Sequence, residues 1–172
     1  NPGTPLTVTG SGFAARETGI AVTLGETPVA SGISADVEGS WSAAFPVPSL
    51  PAGPYTLLAS GSLTSAGGVR RETFTIGAQL TVSPSNGSPG MEVNITGRGF
   101  GANEQDIAIS YDGTPMLTVL SADARGVFTT SFVVPPSASG VHSVKASGSA
   151  TGATSGSETS FRVTPSIALS RS

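Results

Sequence analysis

The sequence predicts an all-β protein, and three observations carry that reading. Short apolar runs alternate with small or polar residues along most of the 172 positions. Gly, Pro, Asp-Gly and Asn-Gly break those runs at regular intervals. The chain also repeats itself: "VTGSGFAARE" from Val8 matches "ITGRGFGANE" from Ile95, and Phe13 pairs with Phe100, 87 positions on.

The offset of 87 holds without a gap. Thr27-Pro28 meets Thr114-Pro115, and "SAD" at Ser34 meets "SAD" at Ser121. Trp41 meets Phe128, Phe45 meets Phe132, and Val47-Pro48 meets Val134-Pro135. "ASGS" at Ala59 recurs at Ala146, and Phe74 recurs as Phe161.

Each copy gives one strand list. In copy 1, Leu6, Val8 and Gly10 alternate inward, followed by Ile20, Val22 and Leu24. A short strand spans 29–33, and Trp41, Ala43, Phe45 and Val47 form the next. Tyr55, Leu57 and Ala59, then Phe74 and Ile76, complete the set. Asp112-Gly113 marks a tight hairpin, because both residues accept positive φ. Pro46, Pro48, Pro51 and Pro54 fence a loop, since proline cannot donate to a central ladder. About seven short strands per copy predict two tandem immunoglobulin-like β-sandwiches. The expected boundaries are 1–77 for repeat 1, 78–164 for repeat 2 and 165–172 for a trailing strand.

Composition narrows the function. Cysteine is absent, which removes disulfides, thiolate chemistry and cysteine zinc sites. A net charge of −3 offers no basic stripe for nucleic acid. No apolar run approaches the roughly 18 residues that span a membrane. The chain opens on Asn1-Pro2-Gly3 with neither Met nor a signal peptide, and is expected to be processed or part of something longer.

The stretches "PGTPLTVTGSGFAARE" and "GETPVASGISADVEGSWSAAFPVPSLPAGPYTLLASG", with their copy-2 counterparts, resemble the IPT/TIG-like repeats of bacterial and archaeal surface proteins. The shared features are a Pro-Gly opening, a T-G-x-G-F turn, a D-x-x-G turn before an aromatic strand, and P-A-G-x-Y. The resemblance implies an extracellular, non-enzymatic architecture and says little about a ligand.

A junction strand is the next expectation. "QLTVSPSNGSPG" leads into copy 2, with Leu80 and Val82 as its strand, while copy 1 has Pro2-Gly3 but no strand before Asn1. Ile167 and Leu169 stand 87 residues after Leu80 and Val82. The first strand of copy 1 is thus read as absent, with its equivalent at the C-terminal end. Leu6, Val8, Ile167 and Leu169 are the predicted inter-unit junction. Two assemblies satisfy it: a covalent tandem array, or subunits that each lend a terminal strand to the next. Either gives a head-to-tail filament, stalk or sheath whose partners are copies of itself. The alternative is an adhesin or carbohydrate-binding array at the cell surface.

Candidate chemistry is sparse. His142, the sole histidine, reads as a packed or surface residue, with no nucleophile-elbow motif to serve it. Calcium is the stronger metal candidate, through Asp36, Glu104, Asp106 and Asp112, although Arg125 stands where copy 1 has Glu38. Asp36-x-x-Gly39 and Asp123-x-x-Gly126 also read as self-bonded turns. Lys145 alternates outward and reads as solvated. Asn86 and Asn94 head N-glycosylation sequons, making glycans a further expected partner. Trp41 and Phe128 read as core anchors, and no cofactor is implied.

Overall fold

A computed structural model describes residues 1–151 and 157–167. Among these the chain is strand and loop, with one 3₁₀ turn at Ala66–Gly68 and no α-helix. It divides into two compact units. The first comprises Asn1–Pro48 and Gly53–Ile76, and the second comprises Ser49–Ala52 and the chain from Gly77 onward.

Unit 1 contains β1 (Pro5–Gly10), β2 (Ile20–Leu24), β3 (Thr27–Ile33), β4 (Trp41–Pro46), β5 (Gly53–Ser60) and β6 (Glu72–Ile76). They form a two-stranded sheet, β1-β4, and a four-stranded sheet in the order β3-β2-β5-β6. Alternation dictates the packing. Ile20, Val22 and Leu24 are fully buried, while Ala21 and Thr23 between them are not. From the other sheet come Trp41 and Phe45, both buried. Phe13 meets Trp41 edge-on, with ring centroids 5.6 Å apart at 84°.

Unit 2 contains β7 (Gln79–Ser83), β8 (Asn86–Gly87), β9 (Glu92–Arg98), β10 (Ile107–Tyr111), β11 (Thr114–Leu120), β12 (Phe128–Val133), β13 (Gly140–Ser147) and β14 (Ser157–Val163). The sheets run β12-β9-β7 and β11-β10-β13-β14-β8, with β8 parallel to β14. Val93, Ile95, Phe100, Ile107, Val144 and Phe161 are sealed completely. Phe100 and Phe128 repeat the edge-on pair at 4.9 Å and 75°.

The fold is all-β and immunoglobulin-like. Its strand count departs from the even seven expected of each copy: six in unit 1 and eight in unit 2 among the described residues. The two-residue β8 adds one, and nothing described in unit 1 stands in the place of β7. Pro46 and Pro54 also differ from expectation, lying at the end of β4 and within β5. Among the described strands each has an unpaired side there, because β4 pairs only with β1, and β2 joins β5 only from Leu57 onward.

The repeated turns explain the repeated motifs. Asp36 Oδ1 accepts the N–H groups of Glu38 and Ser40, and Asp123 Oδ1 those of Arg125 and Val127, all within 2.9 Å. Gly39 and Gly126 adopt φ of 77° and 69°, and a Cβ on either would collide with the carbonyl of Phe13 or Phe100. The Asp112-Gly113 hairpin has φ of 48° and 81°, as its sequence predicts.

Candidate functional site

The feature that distinguishes the two units is the edge of β1. In unit 2 its counterpart β9 is central, bonded to β12 on one side and β7 on the other. The ladder sets Leu80 opposite Gly97 and Val82 opposite Ile95, and β7 also packs against β14. Leu80 is buried in consequence, and Val82 packs on the same core.

In unit 1, β1 pairs with β4 alone among the described strands, in the register Leu6↔Phe45 and Val8↔Ala43. No described strand lies along its other edge. A groove of ≈ 310 Å³ opens there, lined by Val8, Gly10, Val22, Trp41, Leu57 and Val69. Leu6 and Val8 are only half-buried, where Val93 and Ile95 are sealed. Trp41 lies against Gly10 as Phe128 lies against Gly97, leaving no room for a Cβ at either glycine. The indole N–H of Trp41 is buried and has no acceptor among the described residues. Arg70 and Glu72, an exposed ion pair at 3.0 Å, complete the rim. An unpaired edge beside a partly apolar groove has the geometry that strand addition uses, in which the backbone supplies hydrogen bonds and alternate side chains fill the groove.

The other predicted junction residues are reached only in part. Ile167 follows β14 and is 97 % exposed, and Leu169 lies outside the described residues. Asn86 on β8 and Asn94 on β9 are both exposed. Trp41 and Phe128 are 6 % and 5 % exposed, in the core. Lys145 pairs with Glu158 at 3.2 Å, both side chains about half exposed.

The four calcium candidates do not converge, and no cluster of three or more His, Asp and Glu side chains occurs among the described residues. Asp36 is committed to its own turn. Glu104 is walled in, accepting from the backbone N–H groups of Gly101, Ala150 and Thr151 and from the Thr151 hydroxyl. Glu17, at the same repeat position, accepts from the N–H groups of Ala14, Leu63 and Thr64 and from the Thr64 hydroxyl. Burial alone would raise both carboxyl pKa values. The hydrogen bonds outweigh it, holding Glu104 below its ordinary range and Glu17 down to about 2. Each carboxylate therefore stays charged and ties the β2 or β10 approach to the loop after β5 or β13. Sequence reasoning missed this pair, although Glu17/Glu104 and Thr64/Thr151 keep the 87-residue offset.

Asp106 adopts φ of 56° in the loop before β10. Asp112 is engaged by His142. The ring Nδ1 lies 2.6 Å from Asp112 Oδ2, and Nε2 lies 2.9 Å from the Ala138 carbonyl. Both partners are acceptors, so only the doubly protonated ring satisfies them together. The hydrogen bonds to Asp112 and Ala138 raise the His142 pKa, and His142 in turn lowers that of Asp112. His142 stacks on Tyr111 at 5.1 Å, and Tyr111 Oη lies 3.1 Å from Ser137 Oγ. These contacts clasp the 135–139 loop to the β10–β11 turn. Unit 1 carries Gly25, Tyr55 and Leu24 at the places of Asp112, His142 and Tyr111.

The family profile described as the IPT/TIG domain matches residues 80–163, from β7 through β14. Residues 80–163 are an IPT/TIG domain. Unit 1 repeats that IPT/TIG pattern at the 87-residue offset but lies outside the match. No curated protein matches the sequence. Similar solved structures include the adhesin InvE of Yersinia pseudotuberculosis, 14 % identical, with a TM-score of 0.40, covering 95 % of this chain and 55 % of that one. A putative membrane-anchored protein of Corynebacterium diphtheriae is 14 % identical at a TM-score of 0.42, covering 98 % and 50 %. SGBP-B of the Bacteroides ovatus mixed-linkage glucan utilization locus, in complex with a mixed-linkage heptasaccharide, is 14 % identical at 0.39, covering 95 % and 42 %. The chain spans about half the length of each. Among the described residues, no helix is long and apolar enough to cross a membrane.

Proposed function

We propose that this chain is a non-enzymatic structural segment of an extracellular surface protein, built from two tandem immunoglobulin-like sandwiches and continued head-to-tail by strand complementation between chains or, as the other form of the same contact, by covalent tandem continuation. One observation carries the reading: among the described residues, β1 has an open edge and a partly apolar groove at the place where β7 covers β9. A strand of the β7 kind, laid on β1, would complete unit 1 as unit 2 is complete. The contact joins unlike surfaces and does not close on itself, so it propagates.

An adhesin or carbohydrate-binding array is the second reading. Sugar stacking wants exposed aromatic faces, whereas the exposed large apolar side chains described are Val37, Leu63, Val133, Val141 and Ile167, all aliphatic. The aromatic pair Tyr55 and Phe74, opposed on β5 and β6, is half-exposed and is the place where this second reading would have its contact.

The test compares mass before and after denaturation. Light scattering of the 172-residue chain is expected to show multimers that collapse to the 17.0 kDa chain on boiling in detergent. Removal of Ile167–Ser172 is expected to leave monomers. A chain that stays monomeric across micromolar to millimolar concentration contradicts strand donation between separate chains and favours covalent tandem continuation.

A further inference from the structure

The open edge also specifies what it receives and in what alignment. We infer that β1 is an antiparallel strand-acceptor site for segment 166–170 of a second copy of this chain, with Ile167 opposite Gly10, Ala168 opposite Thr9 and Leu169 opposite Val8. The inference rests on the head-to-tail reading and names its partner.

The register comes from the repeat. Segment 166–170 reads Ser-Ile-Ala-Leu-Ser, at the 87-residue offset from Gln79-Leu80-Thr81-Val82-Ser83. The latter lies on β9 with Leu80↔Gly97, Thr81↔Thr96 and Val82↔Ile95. Gly97, Thr96 and Ile95 correspond to Gly10, Thr9 and Val8. The β1–β4 ladder keeps the same frame, since Gly10↔Trp41 matches Gly97↔Phe128.

Directly opposed residues in a sheet share a face. Ile167 and Leu169 would thus enter the groove between Gly10, Val8 and the Trp41 indole, while Ala168 faces outward beside the exposed Thr9. A slip of one residue would turn both apolar side chains to solvent, so the groove itself enforces the frame. Leu6, included in the expected junction, falls beyond the five-residue ladder, because Ser83 already pairs with Asn94 and no β7 residue reaches Val93.

The absence of cysteine makes the register directly measurable. Opposed Cα atoms on neighbouring antiparallel strands stand about 4.5–5.5 Å apart, within disulfide reach. The double variant Thr9→Cys/Ala168→Cys is expected to give a reducible ladder of linked chains under mild oxidation. The control Thr9→Cys/Leu169→Cys places its thiols on opposite faces and is expected to give at least about tenfold less. A disulfide closed within single chains would overturn the second copy as donor, and equal linking of both variants would overturn the register. Loss of cross-linking while light scattering still shows multimers sinks this inference and spares the assembly reading; loss of both sinks both. A second arm needs no cysteines. A peptide of residues 166–172, added to the chain lacking Ile167–Ser172, should raise the melting temperature of unit 1 by at least about 4 °C. The same peptide with Leu169→Asp should not, and equal effects of the two peptides would overturn the site.

Discussion

Val93 and Ile95 in unit 2 are fully sealed, whereas Leu6 and Val8, their repeat equivalents in unit 1, remain half-buried. The side chains are of one kind and both strands pair with an equivalent neighbour, β12 or β4. What differs is the strand on the far side. β7 closes the core of unit 2 and packs against β14, so Phe161 is fully buried while Phe74 on β6 is half-exposed. One covering strand thus bears directly on the burial of Ile95, which it faces in the ladder, and of Phe161 on β14. Apolar pattern states which face a residue prefers, and topology states whether anything arrives to cover it.

Removing each aromatic gives the largest expected contrast. Phe161→Ala should destabilise unit 2 by about 3–5 kcal/mol, the cost of emptying a sealed aromatic site. Phe74→Ala should cost unit 1 less than half of that in the dissociated chain. Denaturant titration checks both, with the fluorescence of Trp41 following unit 1 and circular dichroism following the whole. Equal losses would mean that unit 1 is closed in some other way.

A smaller contrast comes from the His142 clasp. The folded pKa of His142 is raised above its ordinary 6.5, so its contribution is whole below about pH 6.5 and is lost as pH rises through the folded value. That of Asp112 is lowered from 3.8, so its contribution is present above that value and lost as pH falls through the depressed one. Of the groups that face the ring, Asp112 in the turn after β10 is charged and Tyr111 on β10 is titratable, while Phe161 from β14 is apolar and residues 135–139 bring no ionisable side chain. Unit 2 should therefore lose under about 1 kcal/mol between pH 6 and 9, since Asp112 is half-exposed and screened. Unit 1, with Tyr55 and Gly25 in those positions, should not share the loss. His142→Gln should flatten the profile of unit 2, and an unchanged slope would mean that the clasp contributes nothing to stability.

Much of the fold was legible in the sequence. The 87-residue offset and the two-residue alternation located β1 through β7 and β9 through β14, because side-chain period and turn chemistry are local properties. The Asp36 and Asp123 turns were readable for the same reason, each Asp bonding residues two and four positions on. The carboxylate cages were not. Glu104 looked like a cation ligand, since its acceptors are satisfied by backbone 46 and 47 residues away. His142 meets Asp112 across 30 residues, a pairing that no local pattern encodes. The parallel β8 is two residues long, too short to show a period.

Amide hydrogen exchange along β1 tests strand complementation most directly, compared between dissociated and assembled chain. The amides of Leu6–Gly10 that point away from β4 are expected to exchange freely in the dissociated chain. On assembly they should slow by at least about tenfold, toward the protection of β9, which itself should not change. If the chain assembles and those amides exchange as before, no strand has been laid on β1 and strand complementation is wrong.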